Sequence, residues 1–334
     1  MTPAPAEPRI LIPRHLSRGA IAARMADGRT VTLGGRTMGT SWSARIVARD
    51  AMPGTQDALQ ALLDRVVAEM SNWETDSDIS RFNRLPAGRW QTLPPDFFHV
   101  LRRGLEIARA SGGAFDPTAG ALVDLWGFGP VRAPLAPPDE EAIAAAKART
   151  GHERIEIDIH ARRARQPGGA ALDFSGIAKG YAVDLLAEHL RECGHRHFLV
   201  DVGGELAGEG VMPDGQPWWV ELEAPPTLSL PPARIALHGV AVATTGDYRR
   251  FFDHGGRRYA HSIDPRTGRP VANGVASVSV VHRRCMDADA WATALAILGV
   301  EAGLALAVDL GLAARFITNE GGEAFSPALA GMLD

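Results

Sequence analysis

Cysteine and lysine are nearly missing from this chain, and long apolar runs are missing altogether. Cys193 and Cys285 are the only cysteines, which excludes a disulfide framework and a cysteine-rich metal site. No stretch reaches the ~18 consecutive apolar residues that a membrane-spanning helix needs, so no transmembrane segment is expected. Charge of one sign does not dominate. The formal net charge of −4 leaves no basic footprint for nucleic acid or an anionic membrane. Lys147 and Lys179 stand alone against 33 arginines, so each lysine merits following. Residues 1–29 are rich in Pro and Arg and hold neither a signal-peptide core nor a cysteine for a lipid anchor. They are expected to form a tail or arm ahead of one large domain at 30–334. The expected location is cytoplasmic, or periplasmic if the start lies elsewhere or a leader was removed.

What is present fits a soluble globular chain: 334 residues, 46% hydrophobic and 22% charged. At ~150 residues per domain this is two domains or one large one. The 36 glycines and 23 prolines exceed average usage and point to many turns and close backbone approaches, against a helical bundle.

Periodicity supplies the elements. Leu59, Leu62, Leu63, Val66, Val67 and Met70 fall on one helical face, which predicts a helix over 56–71. Further helices are expected at 95–111, 139–149, 177–193 and 286–299. A Pro-rich connector is expected at 133–139. Residues 30–48 read as two strands with a tight glycine turn, interrupted by Gly34-Gly35 and Gly39. Other strands are expected near 154–159, 170–173, 197–202, 217–222, 234–244, 257–263, 275–282 and 312–318. Strands and helices mix without a βαβ rhythm, so the expected class is α+β.

Four segments carry chemistry. In 171–181 a strand ends at Asp173 and a turn through Ser175 and Gly176 opens a helix whose first turn holds Lys179. Free N–H groups and the positive end of a helix dipole suit phosphate there, and Lys179 adds a point charge; an ordinary capped helix is the plainer alternative. Asp289 and Thr293 lie four apart on one helix. A carboxylate and a hydroxyl are hard oxygen ligands of the kind Mg²⁺ takes, although a capping aspartate and a self-bonded threonine would look the same. Thr244-Thr245-Gly246 offers hydroxyls and open backbone to phosphate oxygens. His261 and Asp264, three apart, can each accept a proton, and Asp264-Pro265-Arg266 is also a strong turn signal. His261 is taken near the reference histidine pKa of ~6.5.

Aromatic residues suggest a ring-shaped ligand. Phe115, Trp126 and Phe128 offer flat apolar surface beside Asp116, an acceptor. Trp73 stands among Asn, Asp and Ser as a loop anchor or a stacking platform. Gly203-Gly204 after a strand implies close approach to a neighbour or ligand. Ser-His-Asp, Cys-His, HExxH and CxxC constellations are absent. Phosphate, a hard metal and a ring together suggest a nucleotide or flavin nucleotide.

These residues resemble the ApbE family of flavin transferases. The resemblance is carried in order by MGT at 38–40, NWETDSDISRFN at 72–83, GGAFDPT at 112–118, LDFSGIAKGYAVD at 172–184, VDVGGE at 200–205, ATTGDY at 243–248, HSIDPRTGRP at 261–270 and DADAWATAL at 287–295. It implies a T-fold-like, two-lobed α+β architecture with antiparallel sheets and packed helices. It implies that FAD is split at its pyrophosphate, that FMN passes to a threonine of an acceptor flavoprotein, and that AMP leaves. The implied Mg²⁺ ligands are Asp289, Thr293 and the backbone carbonyl of Gly176. The implied flavin and adenine contacts are Met38, Trp73, Ala114, Phe115, Asp116, Asp173, Lys179 and Ile263, with Thr245 standing where the family often has Ser. His261 is the implied base, with Asp264 as its rival. Trp73 replaces a frequent Tyr, and Phe174-Ser175 replaces a usual Leu-Gly. Two rival functions share the site: an Mg²⁺-dependent FAD pyrophosphatase, and a non-catalytic flavin-binding protein.

Overall fold

The structure, a computed structural model, describes residues 8–13, 18–130 and 136–334. Parts of the expected arm (1–7 and 14–17) and of the expected connector (133–135) lie outside the described residues.

One large sheet organises the chain. Its strands are β1 (Arg29–Thr37), β2 (Thr40–Ala48), β3 (Phe198–Val202), β4 (Glu205–Glu209), β5 (Val240–Gly246), β6 (Val275–His282), β7 (Ala313–Thr318) and β8 (Glu323–Phe325). They pair in chain order, and every neighbouring pair is antiparallel. The class is α+β with antiparallel sheets, as the sequence leads one to expect. Alternation decides which face each side chain serves. Ala44 and Ile46 of β2, with Phe198, Val200 and Val202 of β3, face a helical layer. Val47 and Leu199 face the other way. There they meet a small sheet in which Trp218–Leu222 pairs with Ala233–Leu237, and Arg9–Leu11 adds a parallel strand.

Four helices matter for the site: α1 (Thr55–Met70), α2 (Pro95–Ala110), α3 (Ala178–Glu192) and α4 (Cys285–Leu298). The helices expected from sequence at 56–71, 95–111, 177–193 and 286–299 match all four within two residues. Leu59 and Leu63 of α1 and Leu186 and Leu190 of α3 fill one core cluster with β2 and β3. Helix α4 is buried on nearly every side, since it lies between the sheet, α3 and α2. The contact of α3 with α4 is backbone against backbone. A Cβ at Gly180 would stand 2.4 Å from the Cys285 carbonyl oxygen and 2.8 Å from Asp289 Cβ. One turn on, Asp184 accepts the N–H groups of Cys285 and Met286 at 2.7 and 3.0 Å. It thereby caps α4 from a neighbouring helix, satisfying donors that have no partner within α4.

Three local expectations change. Residues 234–244 form two strands, not one, because Gly239 turns the chain at φ 68° between Ala233–Leu237 and β5. The turn in 30–48 is at Met38-Gly39, both with positive φ, while Gly34-Gly35 stay inside β1. Residues 170–173 make a single parallel bridge, Ala171 to Ala119, and no strand. Met38 and Arg162 are the only non-glycine residues with positive φ among those described. A methionine in that region is strained, a feature that often accompanies function.

Gly180→Ala tests the helix contact. Alanine favours a helix by about 1 kcal/mol, but here it overpacks against backbone. We expect a net loss of ~1–3 kcal/mol, read by urea denaturation; unchanged stability would mean that the helices are free to separate.

Candidate active site

Chain reversals gather at one end of the sheet. The β1–β2 turn at Met38-Gly39, the β3–β4 turn at Gly203-Gly204, the end of β5 at Thr245-Gly246 and the start of β6 all lie there. The first turn of α3 opens beside them. Gly203 and Gly204 have φ of 66° and 99°, which suits the two-residue turn that sets Glu205 at the head of β4.

The phosphate-like turn is built by its neighbours. Asn83 clasps the main chain of Leu172 at both ends, Oδ1 accepting its N–H at 2.7 Å and Nδ2 donating to its carbonyl at 3.0 Å. Asn72 donates to the same carbonyl at 3.0 Å. The loop carrying Trp73 is thereby fixed beside the Asp173–Gly176 turn, with Trp73 itself 60% exposed. Asp173 accepts the Ser175 N–H at 2.7 Å and shapes the turn. A Cβ at Gly176 would meet Thr293 Oγ1 at 2.8 Å and the Phe115 ring at 3.5 Å. Only glycine leaves room for this backbone to lie against α4, so Gly176, Thr293 and Phe115 meet.

A charge cluster lies next to it. Lys179 Nζ donates to Glu205 Oε1 at 2.5 Å. Burial works against the Lys179 charge, but Glu205 and Asp289 outweigh it and hold its pKa above the ordinary lysine value. Asp289 Oδ2 accepts the Gly180 N–H at 3.0 Å. Burial pushes the Asp289 carboxyl up, with Lys179 pulling the other way. Burial also raises Glu205, again opposed by Lys179. Arg249, paired with Glu223, reaches the same cluster through its charge. Asp289 and Thr293 thus share one face of α4, with Gly176 against Thr293. One carboxylate, one hydroxyl and a nearby backbone carbonyl make an open, hard-oxygen donor set of the kind magnesium accepts. Among the described residues no three His, Cys, Asp or Glu side chains form a closed metal cage.

The remaining candidates divide. His261 Nδ1 lies 3.2 Å from the Arg250 carbonyl. A carbonyl only accepts, so Nδ1 carries the proton and Nε2 keeps a free lone pair. Burial, with Arg250, Lys179 and Arg249 nearby, pushes its pKa down to about 4; the reference value expected from sequence is therefore corrected. Asp264 is held by Arg266, whose Nε and Nη2 donate to its two oxygens at 2.9 and 3.0 Å. Its carbonyl also accepts the N–H groups of Thr267 and Gly268, so it builds the turn. Asp116 turns to protein partners: Oδ1 accepts from Thr118 N–H and Oγ1, and Oδ2 from His152 N–H at 2.9 Å. Ala114 is fully buried, and Ile263 packs with Trp126 and Phe128. Thr245 lines a small cavity with Ser262 and Ser277. Glu205 and Arg249 were not singled out from sequence; Gly203-Gly204 was the signal that pointed at Glu205's neighbourhood. Asp124 was missed too, its carboxyl pushed up to about 6 by burial and by the charge of Asp173.

The chain matches known proteins over most of its length. The model of the ApbE family matches residues 38–316. An FAD:protein FMN transferase of Vibrio cholerae serotype O1 is 38% identical over 284 residues, covering 83% of this chain and 84% of that protein. The apo crystal structure of Pseudomonas stutzeri flavinyl transferase ApbE superposes with a TM-score of 0.85 at 37% identity, over 91% of this chain and 97% of that one. Flavin transferase ApbE from Vibrio cholerae gives 0.85 at 34% identity, over 92% of this chain and 100% of that one.

His261 supplies a pH test. Between about pH 6.5 and the folded value near 4, the unfolded chain binds a proton that the folded chain refuses, so this group costs stability as pH falls through that window. We expect the imidazole NMR titration of His261 to have its midpoint near pH 4; a midpoint near 6.5 would remove the burial argument.

Proposed function

This chain belongs to the ApbE family, and from that premise we propose that it transfers the FMN part of FAD to a threonine hydroxyl of an acceptor flavoprotein, with AMP as leaving group. Residues 30–334 form the transferase domain on this reading, and 1–29 the arm ahead of it, of which Arg9–Leu11 is built into the small sheet with Leu11 buried. The observation that carries it is the convergence of Lys179, at the start of α3, with Asp289 and Thr293 on α4. A helix start, an ammonium and hard oxygen donors at one point suit a pyrophosphate.

In the proposed reaction the threonine oxygen bonds to the FMN phosphorus while the bond from that phosphorus to the bridging oxygen breaks, and that oxygen departs with AMP. Phosphoryl transfer of this kind needs positioning and charge neutralisation more than covalent catalysis. Magnesium held by Asp289, Thr293 and the Gly176 carbonyl would neutralise charge on the pyrophosphate. Lys179 and the positive end of the α3 dipole add to that field, although the N–H groups of Ile177, Ala178 and Gly180 are already bonded within the protein. His261 Nε2 takes the hydroxyl proton, since Nδ1 is engaged by Arg250. Its low pKa in the ligand-free protein leaves it neutral at pH 7, and the negative charge of bound FAD raises its basicity. Asp264 is the weaker candidate, because Arg266 occupies both its oxygens. Trp73, exposed beside the 173–176 turn, offers a stacking face, and the strained Met38 turn, Phe115 and Ile263 border the ring site in this reading.

Mass spectrometry of co-expressed flavoproteins is the direct test, with an FMN adduct on threonine as the expected product. Asp289→Ala should cost on the order of 10²–10³ in rate and abolish the magnesium dependence. Thr293→Ala should be milder, because water can replace a neutral ligand. FMN and AMP release at an undiminished rate without acceptor would favour the pyrophosphatase instead.

Trp73→Ala should weaken FAD binding by ~1–3 kcal/mol, the span for one stacking partner, with no change in melting temperature. If calorimetry gives an unchanged FAD affinity and a lower melting temperature, Trp73 is a loop anchor.

A further inference from the structure

Lys179 has a choice of two buried carboxylates. It is bonded to Glu205 at 2.5 Å, while Asp289, which accepts the N–H of the next residue, Gly180, at 3.0 Å, also acts on its charge. Glu205 is only 2% exposed, and its second oxygen, Oε2, is buried without a hydrogen-bond partner. Such an orphan is costly, and native structures rarely keep one without a reason. The fold goes to some length to place it: two successive positive-φ glycines turn β3 into β4 directly ahead of Glu205. A Cβ on the second, Gly204, would stand 3.3 Å from Arg249 Nη2.

We infer that Glu205 is a positioning residue that holds the Lys179 ammonium away from Asp289, leaving the Asp289 carboxylate available to a divalent cation. The inference rests on the magnesium reading above and adds a residue to it. Removing one partner of a buried pair leaves the other charge uncompensated, and it pairs with whatever anion is in reach. For Lys179 that anion is Asp289. An ammonium salt-bridged to Asp289 competes with the cation for the same oxygens. Glu205 thereby allows a lysine and a metal ligand to sit together without cancelling each other.

The test uses the full chain without FAD, with Mn²⁺ and Mg²⁺ as the probes. Calorimetry should find Mn²⁺ binding at least tenfold weaker in Glu205→Gln than in the wild type. Adding Lys179→Met to that variant should restore it. Because the chain has two lysines, ¹⁵N-labelled lysine gives two side-chain signals. In the wild type the protected Lys179 ammonium signal should survive Mg²⁺ saturation, since Glu205 keeps its hold. In Glu205→Gln the same titration should displace it from Asp289 and shift it. A folded Glu205→Gln with wild-type Mn²⁺ affinity overturns the inference while leaving the proposed function intact. Should that variant fail to fold, loss of the wild-type Lys179 signal on Mg²⁺ addition overturns it equally. Failure of the wild type to bind either cation overturns the magnesium reading itself.

Discussion

The contact between α3 and α4 at Gly180 is the constraint on which the site depends. Two helices touch there at backbone distance, and the short approach has several results at once. It brings the Gly180 N–H within reach of Asp289, lets Asp184 cap α4 from outside, and draws Gly176 against Thr293. A larger residue at 180 would move all three together. The candidate donors are therefore coupled through packing rather than through any bond between them.

Electrostatics follow from that packing. The close approach excludes water, and exclusion raises the carboxyl groups of Asp289 and Glu205 while Lys179 opposes the rise. In a wet cleft the same groups would interact weakly, because water screens exposed charges. Here a lysine at the start of a helix, two carboxylates and the more distant Arg249 form one field. Burial first, and then the charges of Arg250, Lys179 and Arg249, keep the His261 imidazole neutral.

Much of this was legible in the sequence where the signal is local. Helix spacing located α1 because its apolar face repeats every three to four residues, whereas α4 is apolar on nearly every side. Alternation over 30–48 located β1 and β2. The α+β class followed from the same reading, and the ordered motifs pointed to the family that the comparisons then supplied. Local reading failed where one glycine turns a continuous β-rich run, as at Gly239, and where a strand-like segment finds only a single bridge, as at Ala171. It also could not find partners. Asp116 looks free in sequence, and its enclosure depends on His152, 36 residues away. Glu205 shows its meaning only once Lys179, on another element, arrives beside it. Asp264 and Arg266 are the instructive contrast, since two residues of separation let the turn reading be made directly.

The order of the main sheet bears on biosynthesis. Strands β1 and β2 pair as soon as both exist, but the other edge of β2 belongs to β3, which begins at Phe198. At ~5–20 residues per second, about 150 residues of waiting last on the order of ten to thirty seconds. Throughout that interval the nascent chain presents an unsealed edge bearing Trp42, Ala44 and Ile46. Exposed edges of this kind recruit stray strands, so the hairpin is open to mispairing until Phe198–Val202 has been made.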